Sequence, residues 1–408
     1  MDWTDTVYII ILISLSYFTF FHLILWFETR GRLRNPSLKD TQLPRVSVLI
    51  PAYNEGRIIG KSLEKLLLIG YPKDKFEVIV IDDGSKDDTY KIAKKYETKN
   101  VKVLTKKNTG KASTLNFGIK HAKYEFVAVM DADSFLGKDA LRKCMSYFDE
   151  DSVAAVTSHV LVKERGTLWE RLQYIEHLIV SLMRKAQERV NIINATPGPL
   201  SVYRKDVLIK VGEFDEKNLV EDVEIAWRLL KNGYKIRMAF DAMVYSLYPD
   251  TFSLWWRQRR RWNIGGIQTF FKYHQSLFDR KSHGVGNFLV PTWLLGYSFS
   301  LLGTSLFGYL LFTRIFNYML YVTAAFSAGT NPFSRFELTY NVDLLFVYGV
   351  IAFIVSLFVI RLGVHVHKAR PSLFLLAIFV TLYPTLLTAN VLISLYKFVR
   401  GQRGWLTK

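Results

Sequence analysis

The sequence predicts an α/β domain, Rossmann-like and mostly parallel, joined to an α-helical transmembrane region. Three observations predict it. Between residues 46 and 130, β-branched runs alternate with helix-spaced segments, the pattern of strand–helix–strand units whose helices cover both faces of a sheet. Long apolar runs lie on both sides of that block. At 408 residues, 50% hydrophobic and 15% aromatic, the chain is too long for one ordinary domain and too apolar for a wholly water-facing one.

The formal net charge of +18, from 54 Lys+Arg against 36 Asp+Glu, suits anionic phosphates or a negatively charged inner leaflet. No aromatic-basic module of the nucleic-acid-binding kind stands out, so no nucleic acid partner is expected. A single cysteine, Cys144, excludes an internal disulfide and a Cys-rich metal site, in keeping with a reducing cytosolic face.

Residues 7–27 are an apolar run long enough to cross a bilayer, preceded by Asp2 and Asp5 and followed by Arg30, Arg32, Arg34 and Lys39. The positive flank is expected to stay cytosolic, which makes 1–29 an anchor with its N-terminus outside. A signal peptide would carry positive charge before the run and small residues after it, and neither is present.

A polar linker, 30–44, leads to an α/β domain expected over 45–280. Strands are expected at 46–50, 76–81, 101–104 and 126–130, and helices at 55–68, 86–96 and 112–122. In a parallel sheet, ligands bind at the carboxyl ends of the strands. The polar groups gather there: Pro51, Tyr53 and Glu55 after the first strand, Asp82 and Asp83 after the second, Asp131 and Asp133 after the fourth. Neither GxGxxG nor GxxxxGK[ST] occurs.

Two aspartates two positions apart can place hard oxygen ligands on one divalent cation, or simply shape a turn. Lys111 opens a helix, where its ammonium and the backbone donors can face an anion, or where it is a solvated lysine. Glu221, Asp222 and Glu224 fit either an acid–base pair or an acidic helix start. Residues 195–200, with Gly198 and Pro199, form either a fixed backbone wall beside a site or an ordinary turn ahead of a strand at 201–204.

Residues 167–190 carry an apolar helical stripe, with Arg171, Glu176, Lys185 and Glu188 turned away from it; the same amphipathic reading covers 264–278. Each either packs against core or lies at the membrane interface. Between them, on a helix, Gln258, Arg261 and Trp262 share a face. That face suits a sugar diphosphate, or the whole stretch 252–263 is a basic cluster on anionic lipid headgroups with its tryptophans at the interface. Arg259 and Arg260 point elsewhere on the helix and are free to serve the lipid in either case.

Residues 288–312, 342–360 and 373–395 are expected spans, with 315–328 a shorter fourth. The membrane region is set at 281–400 and a basic tail at 401–408. Three spans would export the tail; four would export the basic loop 361–370, so one segment breaks the positive-inside rule. Four are expected, with the tail inside. His365 and His367 are read as interfacial loop residues rather than metal ligands.

In order, Pro-Ala-Tyr-Asn-Glu, Asp-Asp-Gly-Ser, Asn-x-Gly-Lys, Asp-Ala-Asp, Glu-Asp and Gln-x-x-Arg-Trp resemble the family-2 glycosyltransferases of GT-A fold, in the membrane-bound branch of cellulose, hyaluronan and poly-N-acetylglucosamine synthases. The resemblance covers roughly residues 46–271. It implies an inverting, metal-dependent transfer from a nucleotide-sugar donor, UDP-linked by preference, to a growing polysaccharide. A membrane lipid acceptor and a silent nucleotide-sugar-binding protein are the alternatives.

By the same resemblance, Pro51, Tyr53, Glu55, Asp82, Asp83 and Lys111 bind the nucleotide sugar, with Gln258 and Arg261 on its diphosphate. Asp131 and Asp133 hold phosphates and a Mg2+ or Mn2+ ion, Asp222 is the general base, and Gly198, Pro199, Glu221 and Trp262 border the acceptor. The threonine usual before the acid pair is Val220 here. The catalytic domain is then cytosolic, at the plasma membrane, in contact with membrane lipids, with 167–190 and 264–278 at the interface.

Overall fold

The computed structural model describes residues 3–31, 38–331 and 344–402. Arg32, Arg34, positions 342–343 and residues 403–408 of the basic tail lie outside them.

Helix α1 (Trp3–Thr29) is followed by β1 (Val46–Ala52), α2 (Ile59–Leu67), β2 (Phe76–Asp82), α3 (Thr89–Lys94), β3 (Val101–Thr105), α4 (Lys111–His121) and β4 (Phe126–Val129). Then come β5 (Ser134–Leu136), α5 (Ala140–Met145), β6 (Val153–Val162), α6 (Leu168–Glu188), β7 (Ser201–Arg204), α7 (Lys205–Lys210), α8 (Glu221–Lys231) and β8 (Lys235–Ser246). Helices α9 (Phe252–Tyr273), α10 (Val290–Ser327), α11 (Leu344–Val366) and α12 (Leu373–Val399) complete the chain.

The eight strands form one sheet in the order β3-β2-β1-β4-β7-β6-β8-β5. Strands β1 to β4 are parallel where they pair, and β8 is parallel to β6. Strand β7 runs antiparallel between β4 and β6, and β5 antiparallel on β8. Every residue of β2 and β6 is buried, as strands covered on both faces require. The register pairs Ala52 with Asp82 and Asp82 with Thr105, so three strands end at one level and their loops meet. Helix α4 approaches closely because residue 118 is glycine: a Cβ there would lie 3.0 Å from Leu49 and Ile81.

Helix α6 starts with a capping box, Thr167 accepting from the Glu170 amide and Glu170 from the Thr167 amide. Of its polar face, Arg171 is exposed, Glu176 and Glu188 are half-buried and Lys185 is buried. Lys185 is 1% exposed and donates to Met238 O (2.9 Å) and Glu188 (2.9 Å). The helix is wedged between β6 and β8 on one side and α1, α11 and α12 on the other, so both faces find protein.

Two expectations are corrected. The stretch 252–263 and the interface segment 264–278 are largely one helix, α9, which ends at Tyr273. Stretches 288–312 and 315–328 are likewise parts of α10, which runs unbroken past Thr313 and Arg314 because nothing there stops a helix. The count of four C-terminal spans therefore fails. The 361–370 loop packs on the domain: a Cβ on Gly363 would lie 3.3 Å from Ile179, and His367 Nε2 lies 3.1 Å from His159 Nε2. Among the described residues, Thr4–Thr29, Val285–Ser327 and Leu373–Val399 are long and apolar enough to cross a membrane.

Candidate active site

The loops after β1, β2 and β3 form the first half of the site. Asn54 has φ 55°, and its backbone amide donates to Ser85 Oγ (2.9 Å) while its side chain accepts from the Lys86 amide (2.9 Å). The Glu55 amide donates to Thr89 Oγ1 (2.7 Å). Asp82 is buried and accepts from Thr105 Oγ1 (3.1 Å) and, weakly, from the Ser85 amide. Asp83, also buried, accepts from Lys106 Nζ (2.8 Å) and from the Thr109 and Gly110 amides (3.1 and 2.9 Å). It thereby fixes the loop that delivers α4. Tyr53 is exposed beside this frame, and Pro51 is half-buried in β1.

The second half is a cluster of charges from four separate elements. Gly110, at φ 97°, caps α4, a conformation that favours glycine. Lys111, the first residue of that helix, places its Nζ 2.6 Å from Asp131 Oδ1 and 3.1 Å from Glu221 Oε1. Burial opposes its charge, yet Asp131, Glu221 and Asp222 hold it protonated above the usual lysine range. Gly198 lies against this bridge: a Cβ there would stand 2.5 Å from Lys111 Nζ and 2.6 Å from both Asp131 oxygens. The Asp131 amide donates to Gly198 O (3.0 Å), which ties wall and carboxylate together. Pro199 is buried behind it.

Glu221 and Asp222 open α8, where the helix dipole favours negative charge. Thr196 fastens that turn, its amide and hydroxyl both donating to Asp222 O (3.1 and 2.9 Å), while Tyr203 donates to the Thr196 hydroxyl (2.9 Å). Burial and the neighbouring Glu221 push Asp222 up to about 6, against the pull of Lys111 and Arg261. Glu221 goes the other way. Burial opposes its ionisation, but Lys111 and Arg261 keep it below the ordinary carboxylate range. One acid is held ionised and its neighbour is poised near neutrality.

From α9, Arg261 donates to Leu219 O (3.2 Å), at the entrance of α8. Gln258 Oε1 is buried without a donor among the described residues, and Trp262 is half-buried. Arg259 does not serve lipid: it is buried, paired with Glu176 through two bonds (2.9 and 2.6 Å), and its guanidinium carbon lies 4.3 Å from the Trp262 ring centroid. Asp133 sits in the β4–β5 turn, where Ser246 donates to it at 3.4 Å. No group of three or more His, Cys, Asp or Glu arranged to hold a metal occurs among the described residues. Asp131 and Asp133 nevertheless offer two hard oxygen donors in one turn. That donor set is of the kind that Mg2+ or Mn2+ takes.

Sequence reasoning missed Lys106 and Arg184, and placed Thr196 in the wall 195–200 without its bond to the Asp222 carbonyl. Lys106 follows β3 directly, so its place at a strand's carboxyl end was the available signal. Arg184, on α6, has a buried Nε without a partner among the described residues and feels both Tyr248 and Asp222.

The sequence profile of "Glycosyltransferase like family 2" matches residues 44–265. A poly-beta-1,6-N-acetyl-D-glucosamine synthase of Staphylococcus aureus is 30% identical over 243 residues, 59% of this chain and 58% of the relative, so the match leaves a large part of that relative uncovered. The Staphylococcus epidermidis synthase of the same name is 27% identical over 380 residues, 92% of this chain and 88% of its own. A mannosyltransferase from Pyrobaculum calidifontis, solved with GDP-Man and Mn2+, is similar in fold (TM-score 0.60, 20% identity, 95% of this chain and 97% of that one).

Proposed function

This chain belongs to the family-2 glycosyltransferases, and from that premise we propose that it is an integral membrane, inverting glycosyltransferase. It transfers a sugar from a nucleotide-diphosphate donor, UDP-linked, to the hydroxyl of a growing polysaccharide. Residues 45–280 form its catalytic domain, on the cytosolic face of the plasma membrane between the anchor 1–29 and the membrane helices of 281–400. The observation that carries the reading is the placement of Asp222. It is a carboxylate poised near neutrality, set beside a half-buried Lys111–Asp131–Glu221 bridge and within the field of Arg261.

The chemistry follows from these groups. The acceptor oxygen attacks the anomeric carbon in one displacement, the bond to the diphosphate breaks, and Asp222 takes the hydroxyl proton. Arg261 and Gln258 meet the charge that develops on the leaving diphosphate, and Lys111 keeps Asp131 and Glu221 from repelling it. When bound by Asp131 and Asp133, Mg2+ or Mn2+ would neutralise further charge on the same diphosphate. Tyr53 and Asp83 hold the base, with Pro51, Glu55 and Asp82 shaping its loop. Gly198, Pro199, Glu221 and Trp262 border the acceptor.

The test is Asp222→Asn, with labelled UDP-N-acetylglucosamine and other UDP-sugars as donors. The variant is expected to retain UDP binding while losing transfer. Wild-type turnover in that variant would refute the assignment.

A further inference from the structure

Length and composition alone would let α12 cross the membrane, but its contacts describe a different position. Helix α10 meets the domain near its beginning, where Gly266 packs on Trp293 and Tyr297. Helix α11 meets it near its end, through Gly363 and the following His367. Helix α1 does so through Phe21, Leu25 and Trp26, near its own end. Each of the three touches the domain with one end, as a span does.

Helix α12 touches it at both ends and in between. Leu375, Phe379 and Tyr383 pack with Leu172, Ile175 and Trp255, and Trp255 Nε1 donates to the Tyr383 hydroxyl (3.0 Å). In the middle, Asn390, fully buried, donates to Trp256 O (3.0 Å) and accepts from Asn263 (3.0 Å). At the far end Phe398 packs with Leu219, Ile264 and Ile267, and its ring stacks on Phe271 with centroids 5.5 Å apart.

From Leu375 to Phe398 this seam runs about 35 Å at 1.5 Å per residue, more than the roughly 30 Å of a bilayer's hydrocarbon core. Beside it lies α9 with Arg257, Arg259, Arg260 and Arg261, and guanidinium groups are costly in hydrocarbon. If α12 crossed, α9 would have to cross with it.

We propose that α12 does not span the membrane but lies in the plane of its domain-side surface, docked on α9, with its outer face in the lipid. That face is apolar: Phe374 (75% exposed), Leu382, Ile393, Tyr396 and Val399. Basic residues frame it, Lys368 and Arg370 before and Lys397 and Arg400 after, which suits anionic headgroups. The partner is the anionic bilayer surface. The conflict between the two basic segments disappears, since the 361–370 loop and the C-terminal tail both stay on the domain side. The helix that carries Gln258 and Arg261 is then backed by one that rests on lipid.

Full-length protein in sealed phosphatidylethanolamine–phosphatidylglycerol vesicles tests this, because Cys144 is fully buried and silent to an impermeant maleimide. Single cysteines go in at Gln402 after α12, at Lys95 on the domain and at Ser327 at the far end of α10. Gln402→Cys is expected to react from the same side as Lys95→Cys, with Ser327→Cys protected until detergent is added. Nitroxides at Phe374, Leu382 and Ile393 are expected at one shallow depth. Reaction of Gln402→Cys together with Ser327→Cys, or a depth maximum at Leu382, would overturn the proposal.

Discussion

Around Asp83 the oxygens are bound within its own neighbourhood, by Lys106 and the Thr109 and Gly110 amides. Around Asp222 the arrangement differs: among the described residues its side chain accepts only the Val223 amide (3.0 Å), and its charge is governed by burial, by the adjacent Glu221, and by Lys111 and Arg261 from other parts of the chain. The first half of the site is therefore a scaffold complete without ligand. The second half is a balance of charges, left adjustable where a proton has to move. Mutations should separate the two, the first kind changing nucleotide affinity and the second changing turnover and its pH dependence.

The largest effect is expected at Asp222→Asn, where transfer falls by about 10³-fold, the range of a lost general base, with nucleotide affinity unchanged in equilibrium binding. Gly198→Ala comes next. Its methyl displaces Lys111 and Asp131, and turnover drops about 100-fold, as an error of ~1 Å in a catalytic group does, measured by initial rates at saturating donor. Asp83→Asn weakens nucleotide binding by about tenfold, the ~1.5 kcal/mol of a charge-assisted hydrogen bond, while the turnover of bound donor is retained. Arg260→Gln, which removes a half-buried charge without a carboxylate partner among the described residues, changes stability by no more than about 0.5 kcal/mol in thermal unfolding and leaves transfer intact.

The scaffold half was the more legible in sequence. Strands β1 to β4 and helices α2 to α4 follow local periodicity, and their boundaries move by a few residues at most. The acidic residues at their ends were legible because a parallel sheet gathers them. Strands β6 and β8 went unread: Thr157, Ser158 and His159 interrupt the apolar run of Val153–Val162, and only the fold shows that all ten residues are buried. The charge-balance half depends on tertiary distance. Nothing near Lys111 in sequence announces Glu221, 110 positions on, as its partner. Arg259 was likewise assigned to lipid because its carboxylate, Glu176, lies 83 positions earlier. Helical geometry gave its direction correctly, but only the fold shows what lies there.

The account rests on Asp222 being held near neutrality by burial and Glu221 against Lys111, and the pH–rate profile of transfer tests that most directly. Asp222 must be ionised to accept a proton, so the rate is expected to rise with pH through a midpoint of about 6. Glu221→Gln removes the neighbour that raises Asp222, and its midpoint moves to lower pH. Lys111→Met removes a cation that lowers it, and its midpoint moves to higher pH by about 1 unit or more. Opposite shifts on the residual rates of the two variants are the predicted result. A wild-type rate that does not fall through pH 6, or midpoints that move together, would contradict it.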